Sequence, residues 1–291
     1  MLNLKDYIID SKLFKTINID DLLFVKYSCL VEDSQSEIWA HENYLAYAIG
    51  GEKKWKTPES EFKIGSGEAL FIKKGANTVY NYYDKPFYVL FVFLPDNFIR
   101  KVLDKHPDII SKATKRSYQN EQLCLLALNE VLSSFFNSLL AYFSEGVICS
   151  KEILRLKMEE LVLNILTQPE NHKLKQYFIR IGQSQQVDIE EMMQANYLRQ
   201  LTLSEFARLC ARSLSSFRRD FKKTFGTTPN RWLLSKRLEY SRFVLETTNK
   251  PIDEVIDVCG FKNCSHFIKA FKNVFGISPN RYRQRHFENE T

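Results

Sequence analysis

Two kinds of apolar spacing divide the chain. From Leu22 to about Phe93 the apolar positions fall in short runs rich in β-branched and aromatic residues, closed off by Gly, Pro or Asp clusters. Such runs are strands. Candidates are L-L-F-V-K-Y-S-C-L-V, Y-L-A-Y-A-I, K-K-W-K, E-F-K-I, A-L-F-I, T-V-Y-N-Y-Y and F-Y-V-L-F-V-F, and their close spacing suggests a barrel or sandwich. After Pro95 the period lengthens to that of helices, a short one over 97–106 and longer ones over 122–144 and 151–167. Pro169 breaks the pattern, and the polar stretch to Gln186 reads as a linker. Asp188 opens a further helix whose acidic first turn suits the helix dipole.

Beyond that helix the chain says nearly the same thing twice. Leu203 to Trp232 aligns with Ile252 to Tyr282, at an offset of 49 in the leading half and 50 in the trailing half. Phe217, Phe221 and Phe225, and then Phe267, Phe271 and Phe275, recur every four residues, so each set forms the core stripe of one helix. Facing away are Ser215, Ser216, Arg218, Arg219, Lys222 and Lys223 in the first copy and Ser265, His266, Lys269 and Lys272 in the second. These are polar and cationic surfaces suited to phosphates and base edges. A T-x-x-E capping box at Thr202 and Glu205 starts the short helix before the first of them. Ser213 and Asn263 are placed to cap the phenylalanine helices, and Gly226 and Gly276 to stop them. The result is a helix-turn-helix in duplicate. Between the copies, a helix started by Thr228 and Pro229 runs unbroken to Asn249. About 20 residues at about 1.5 Å span roughly 30 Å, close to the ~34 Å between successive major-groove faces.

These features resemble the DNA-binding domain of the AraC/XylS family of bacterial transcription regulators. The resemblance is carried by the doubled motif, Arg237, Leu238 and Ser241 on the connecting helix, the Gly260-Phe261 turn, and the closing F-G-I-S-P-N-R-Y. It departs from the family pattern at Ala211, where Gly is frequent, and at Ile256 and Ser241, where Ala is. The phrase I-G-S-G-E-A-L-F-I-K-K-G resembles part of the family's cupin-like regulatory domain, and L-R-L-K-M-E-E-L-V-L-N-I-L its dimerisation helix. The resemblance implies an α+β chain in three parts. Residues 1–170 form a regulatory and dimerisation domain, with a cupin-like barrel over about 20–95 and helices over about 96–167. A linker over 171–187 and a DNA-binding domain over 188–291 follow. It further implies a sequence-specific activator that binds double-stranded promoter DNA and works with RNA polymerase. A homodimer would form through helices within 122–167, using Leu154, Met158, Leu161 and Ile165. From the apolar stripe alone, packing on the chain's own barrel is an equal reading.

Charge divides in the same way. Residues 197–291 hold 18 Lys and Arg against 9 Asp and Glu, or +9, leaving −3 for the rest of a chain whose total is +6. The positive field therefore belongs to the duplicated region, as DNA binding requires. The six cysteines are scattered without a C-x-x-C, which fits reduced thiols. The absence of a signal peptide or a long apolar run points to the cytoplasm and away from membranes.

An enzyme built on the barrel, or a DNA-repair protein anchored by the basic domain, is the alternative reading. It finds little to work with. His41 is the sole histidine of the strand region and stands beside Glu42, while Thr78 occupies the position where metal cupins place a second-motif histidine. No metal or other cofactor is called for. Phosphate-binding and nucleophile-elbow motifs are absent. Trp39, Tyr47 and Trp55, with Tyr44 and Tyr82, could line an effector pocket or equally be core. Whether the effector is a small molecule or a protein is left open.

Overall fold

The computed structural model describes residues 1–29, 35–57, 60–81, 86–111, 121–184 and 186–288; Tyr82 lies outside them. The chain divides into two units, Met1–Gln186 and Val187–Thr291.

In the first unit, the strands are divided between two sheets, and the chain crosses from one to the other repeatedly. One sheet runs β1 (Leu2–Asn3), β4 (Gln35–Ala40), β9 (Gly75–Asn81), β6 (Glu52–Lys56), β7 (Glu61–Gly65). The other runs β11 (Leu123–Leu126), β8 (Ala69–Ile72), β5 (Asn43–Gly50), β10 (Phe87–Leu94), β3 (Leu22–Cys29), β2 (Lys15–Ile19). Each expected strand is present within the described residues, which exclude the ends expected at Leu30, Val31, Tyr82 and Tyr83, but the ladders are open: among the described residues they form two sheets and no closed barrel.

The apolar runs of β5 and β10 are unbroken because both faces of these central strands are covered. Leu45, Tyr47, Leu90, Val92 and Leu94 pack against the helices α2 (Asp96–Lys105), α4 (Glu130–Ala141), α5 (Lys151–Thr167) and α6 (His172–Gln183). Tyr44, Ala46, Val89, Phe91 and Phe93 face the other sheet, where they meet Ile38, Trp55, Ile64 and Val79. The helix α1 (Leu4–Ser11) adds Leu4 and Ile8 to that second layer, and a short α3 (Pro107–Ser111) follows α2.

Three expectations are corrected here. The single helix over 122–144 is instead an edge strand, β11, paired with β8, followed by α4, whose first turn is capped when the Leu132 N–H donates to the Asn129 side chain at 2.9 Å. The stretch read as a linker is largely helix. After a 3-10 turn at Pro169–Asn171, α6 buries Leu174, Tyr177, Phe178 and Ile181, spaced i, i+3, i+4, i+7, against the sheet, with Phe71 and Phe178 ring centroids 5.4 Å apart. The dimerisation residues are also placed differently. Leu154, Met158, Leu161 and Ile165 are at most 1% exposed, inside their own unit's core, so they are not a surface on which a second chain can dock.

Docking of α6 is specified by polar groups as well. Asn171 exchanges two hydrogen bonds with the backbone of Ala127, at 2.9 and 3.1 Å. Gly182 passes so close to α2 that a Cβ would stand 2.7 Å from Leu103 Cδ1. Arg100 Nε donates to the carbonyls of Ile181 and Ser184, at 3.0 and 3.1 Å, closing the helix end.

Asn43, fully buried, joins these elements. Its side-chain oxygen accepts from the Tyr177 hydroxyl at 2.7 Å and the Lys74 N–H at 3.1 Å, and its nitrogen donates to Asp96 at 2.8 Å. Tyr177→Phe leaves Asn43 with its other partners and should cost about 1 kcal/mol, whereas Asn43→Ala strands several buried groups and should cost about 3 kcal/mol or more. Thermal unfolding of the full chain, monitored in the N-terminal unit, checks the order.

Candidate nucleic-acid interface

The second unit begins with α7 (Ile189–Asn196), whose start is fixed by the Asp188 carboxylate accepting from the N–H groups of Glu190 and Glu191. The first helix-turn-helix is α8 (Leu203–Leu209) and α9 (Leu214–Phe225); the second is α11 (Ile252–Val258) and α12 (Cys264–Phe275). Between them lies α10 (Pro229–Thr247), and α13 (Pro279–Glu288) closes the unit. The capping box at Thr202 and Glu205 forms as expected, Ser213 and Asn263 cap α9 and α12, and Gly226 and Gly276 end them at φ of 67° and 82°. Thr228 makes no side-chain cap, so α10 starts on Pro229 alone.

Each phenylalanine stripe is core. Phe217, Phe221, Phe267 and Phe271 are fully buried, and Trp232 and Tyr282 complete the two aromatic clusters from the helices that follow. The opposite faces are open. Ser215, Arg218, Arg219, Lys222 and Lys223 are exposed on α9 and Ser216 is half-buried, while Ser265, His266, Lys269 and Lys272 are exposed on α12. The expected residues thus come together as one surface per helix.

Their freedom differs. Arg219 Nε donates to Asp220 at 3.1 Å, and Arg212 Nε donates to the other oxygen of that carboxylate, also at 3.1 Å. The Arg219 bond, and then Arg212, hold the Asp220 carboxyl below its usual range, so it is ionised at neutral pH. Ser213 shares hydrogen bonds with the hydroxyls of Ser215 and Ser216. Among the described residues Arg218 has no ion pair, so its guanidinium keeps all its donors.

What holds the two motifs together was not read from the sequence. Arg237, on α10, donates from Nε to the Tyr197 carbonyl and from its terminal nitrogen to the Arg199 carbonyl, both at 2.7 Å. Gln200 donates to the Phe261 carbonyl at 3.4 Å. The short segment after α7 is thereby tied to the connecting helix and to the second turn. The signal available was Arg237 within a resemblance motif, and its spacing alone does not reveal that it binds carbonyls.

A family profile described as "ExsA N-terminal regulatory domain" matches residues 43–177, and one described as "Helix-turn-helix domain" matches residues 196–285. The chain belongs to the AraC/XylS family of transcription regulators. It is 23% identical over 226 residues to the virulence regulon transcriptional activator VirF of Yersinia enterocolitica, spanning 78% of this chain and 83% of that one. It is 24% identical over 245 residues to the regulator ExsA of Pseudomonas aeruginosa, spanning 81% and 84%. Among solved structures it is similar to ToxT from Vibrio cholerae, at 14% identity over 90% of this chain and 97% of that one, with a TM-score of 0.40. It is also similar to the DNA-binding domain of AdpA in complex with a target DNA, at 26% identity over 35% and 91%, with a TM-score of 0.33. This AraC-family chain is accordingly a DNA-binding transcription regulator.

Within this family member the aromatic residues nominated for a pocket divide between layers: Tyr47 lies apart from Trp55, which sits beside Tyr44. Tyr47 stacks on Phe136 between sheet and helices, with ring centroids 4.5 Å apart. Trp55 lies between the sheets against Phe87, at 6.0 Å. Trp39, on β4, is also buried and neighbours His41, at 6.1 Å. His41 itself lies 3.2 Å from the Asn3 side chain and 3.9 Å from Glu42. Among the described residues no three His, Cys, Asp or Glu side chains converge as a metal site, and no helix is long and apolar enough to cross a membrane.

The two turns test the geometry. Gly260 has φ of 75° and its missing Cβ would fall 2.3 Å from the Leu198 carbonyl oxygen. Ala211, its counterpart in the first copy, holds φ of 53° with a side chain. Ala211→Gly should therefore stabilise the unit by about 0.5–1 kcal/mol, once the relief of left-handed strain is offset by glycine's entropy. Gly260→Ala should destabilise it by about 2 kcal/mol or more. Hydrogen exchange of α8 and α11 in the full chain reads both effects.

Proposed function

We propose that this regulator is a sequence-specific activator that sets α9 and α12 into successive major grooves of promoter DNA. The observation that carries this reading is a pair of exposed cationic helix faces, each backed by a buried phenylalanine stripe and both tied by Arg237 and Gln200 to one framework. At 19 residues, α10 is roughly 28 Å long, which suits one duplex turn. Arg218, with its donors free, reads a base edge, and Arg219, shared with Asp220, reorients on binding or stays with the phosphates. Lys222, Lys223, Lys269 and Lys272 neutralise phosphate, while Ser265 and His266 face the bases from α12.

Activation is the stated role of the Yersinia relative and is assigned here on that likeness, with RNA polymerase as the partner. The protein acts in the cytoplasm and is not an enzyme. Effector control belongs to the N-terminal unit. A small-molecule effector would find its polar contacts between the sheets, where the Tyr44 hydroxyl, the Trp55 indole N–H and the Asn77 carboxamide are buried close together without a hydrogen bond of good geometry. A homodimer, if formed, uses a surface other than the buried face of α5.

Arg218→Ala should cost about 1–3 kcal/mol on the preferred duplex and relax selectivity at one base pair. Lys223→Ala should weaken binding to every sequence alike and reduce the salt slope by about 1. Fluorescence anisotropy of the full chain on duplexes enriched from a random library, over a salt series, separates the two. Equal weakening on all sequences by Arg218→Ala would make Arg218 a phosphate contact.

A further inference from the structure

The 50-residue offset that pairs α9 with α12 allows their exposed stripes to be compared position by position. On α9 the residues spaced i, i+3, i+4, i+7 are Ser215, Arg218, Arg219 and Lys222; on α12 they are Ser265, Ile268, Lys269 and Lys272. Three of the four positions keep their chemistry. At the remaining one, arginine has become isoleucine.

Ile268 is not in that stripe to serve the core. It is 38% exposed, whereas its neighbours Phe267 and Phe271 are fully buried, and it is absent from the cluster of side chains that packs around them. A branched side chain of this kind has a restricted χ1, so it projects as a stiff knob. On one side of it along the stripe is the Ser265 hydroxyl, and on the other are the Lys269 and Lys272 ammonium groups, all exposed. An apolar knob framed by phosphate-binding cations on a helix that enters a major groove has one base-edge feature to contact without leaving a polar group unpaired: the C5-methyl of thymine.

We propose that Ile268 is a specificity-determining residue that recognises the 5-methyl group of a thymine in the part of the site read by α12. The two reading helices then use different chemistry at equivalent positions, a guanidinium able to fork onto guanine at Arg218 and an apolar contact onto thymine at Ile268. The proposal rests on the reading of α9 and α12 as groove-binding helices and adds to it the identity of one base. A second exposed apolar residue of α12, Val274, is 62% exposed but falls outside the stripe, and it supplies the internal control.

The test uses the full-length protein and duplexes enriched by it from a random library. Each thymine in the two boxes is replaced singly by deoxyuridine, which removes the methyl and nothing else, and binding is measured by anisotropy at fixed salt. The box read by α9 is identified as the one whose selectivity Arg218→Ala relaxes. In the other box, one thymine should weaken wild-type binding about 3- to 5-fold on loss of its methyl, the value of a single buried carbon. Ile268→Ala should weaken binding to the thymine duplex by a similar factor and bind thymine and uracil duplexes equally, while Val274→Ala should keep the wild-type methyl dependence. Because position 268 is exposed and alanine favours helix, circular dichroism of the variant should match wild type. Wild-type indifference to every methyl in that box overturns the proposal, as does an undiminished methyl dependence in Ile268→Ala. Failure to enrich any paired motif overturns the regulator reading beneath it instead.

Discussion

The DNA-binding unit depends on one buried guanidinium. Arg237 stands on the connecting helix with most of its surface withdrawn from water, and that burial pulls its pKa below the ordinary arginine range. Its cost is offset by two 2.7 Å hydrogen bonds to the Tyr197 and Arg199 carbonyls, just past the end of α7. The same few residues press against the second turn, since Gly260 has no side chain to hold Leu198 away. Cys259, beside that turn, has its thiol pushed up to about 12 by burial and is a packing group rather than a nucleophile. Lead-in helix, spacer and second turn are therefore tied to one another.

The regulatory unit shows the same economy. Asn43 is the buried junction at which the sheet, α2 and α6 exchange hydrogen bonds. Because α6 is part of this unit to its last turn, where Arg100 grips the Ser184 carbonyl, only residues 184–187 separate its final helical residue from the Asp188 cap of the next unit.

Much of this was legible in the sequence because one signal was written twice. A four-residue phenylalanine period with cations on the remaining positions has a single structural solution, and its repetition at 49 and 50 residues removed the ambiguity of either copy. Elsewhere the signal was weaker or was misread. Leu174, Tyr177, Phe178 and Ile181 carry a full helical stripe, but Pro169 and the polar residues on either side hid it. The run Leu123–Leu126 is too short for its period to distinguish an edge strand from the first turn of a helix. The faces chosen by Tyr47 and Trp55 depend on which sheet each strand joins, and strands that hop between sheets do not announce their destination. The apolar face of α5 showed that it would be buried without showing against what. Ile268 carries no charge to mark it on α12, although the 50-residue offset sets it at the position of Arg218.

The central claim is that two reading helices act as one rigid pair spaced for a single face of the duplex. The most direct measurement compares the affinity of the full chain for its enriched two-box duplex with that for the same duplex carrying five extra base pairs between the boxes, which turns one box to the opposite face. A rigid pair predicts that affinity falls to that of a duplex with one box alone. Affinity unchanged by the insertion would mean that the two motifs move independently, and would contradict the account.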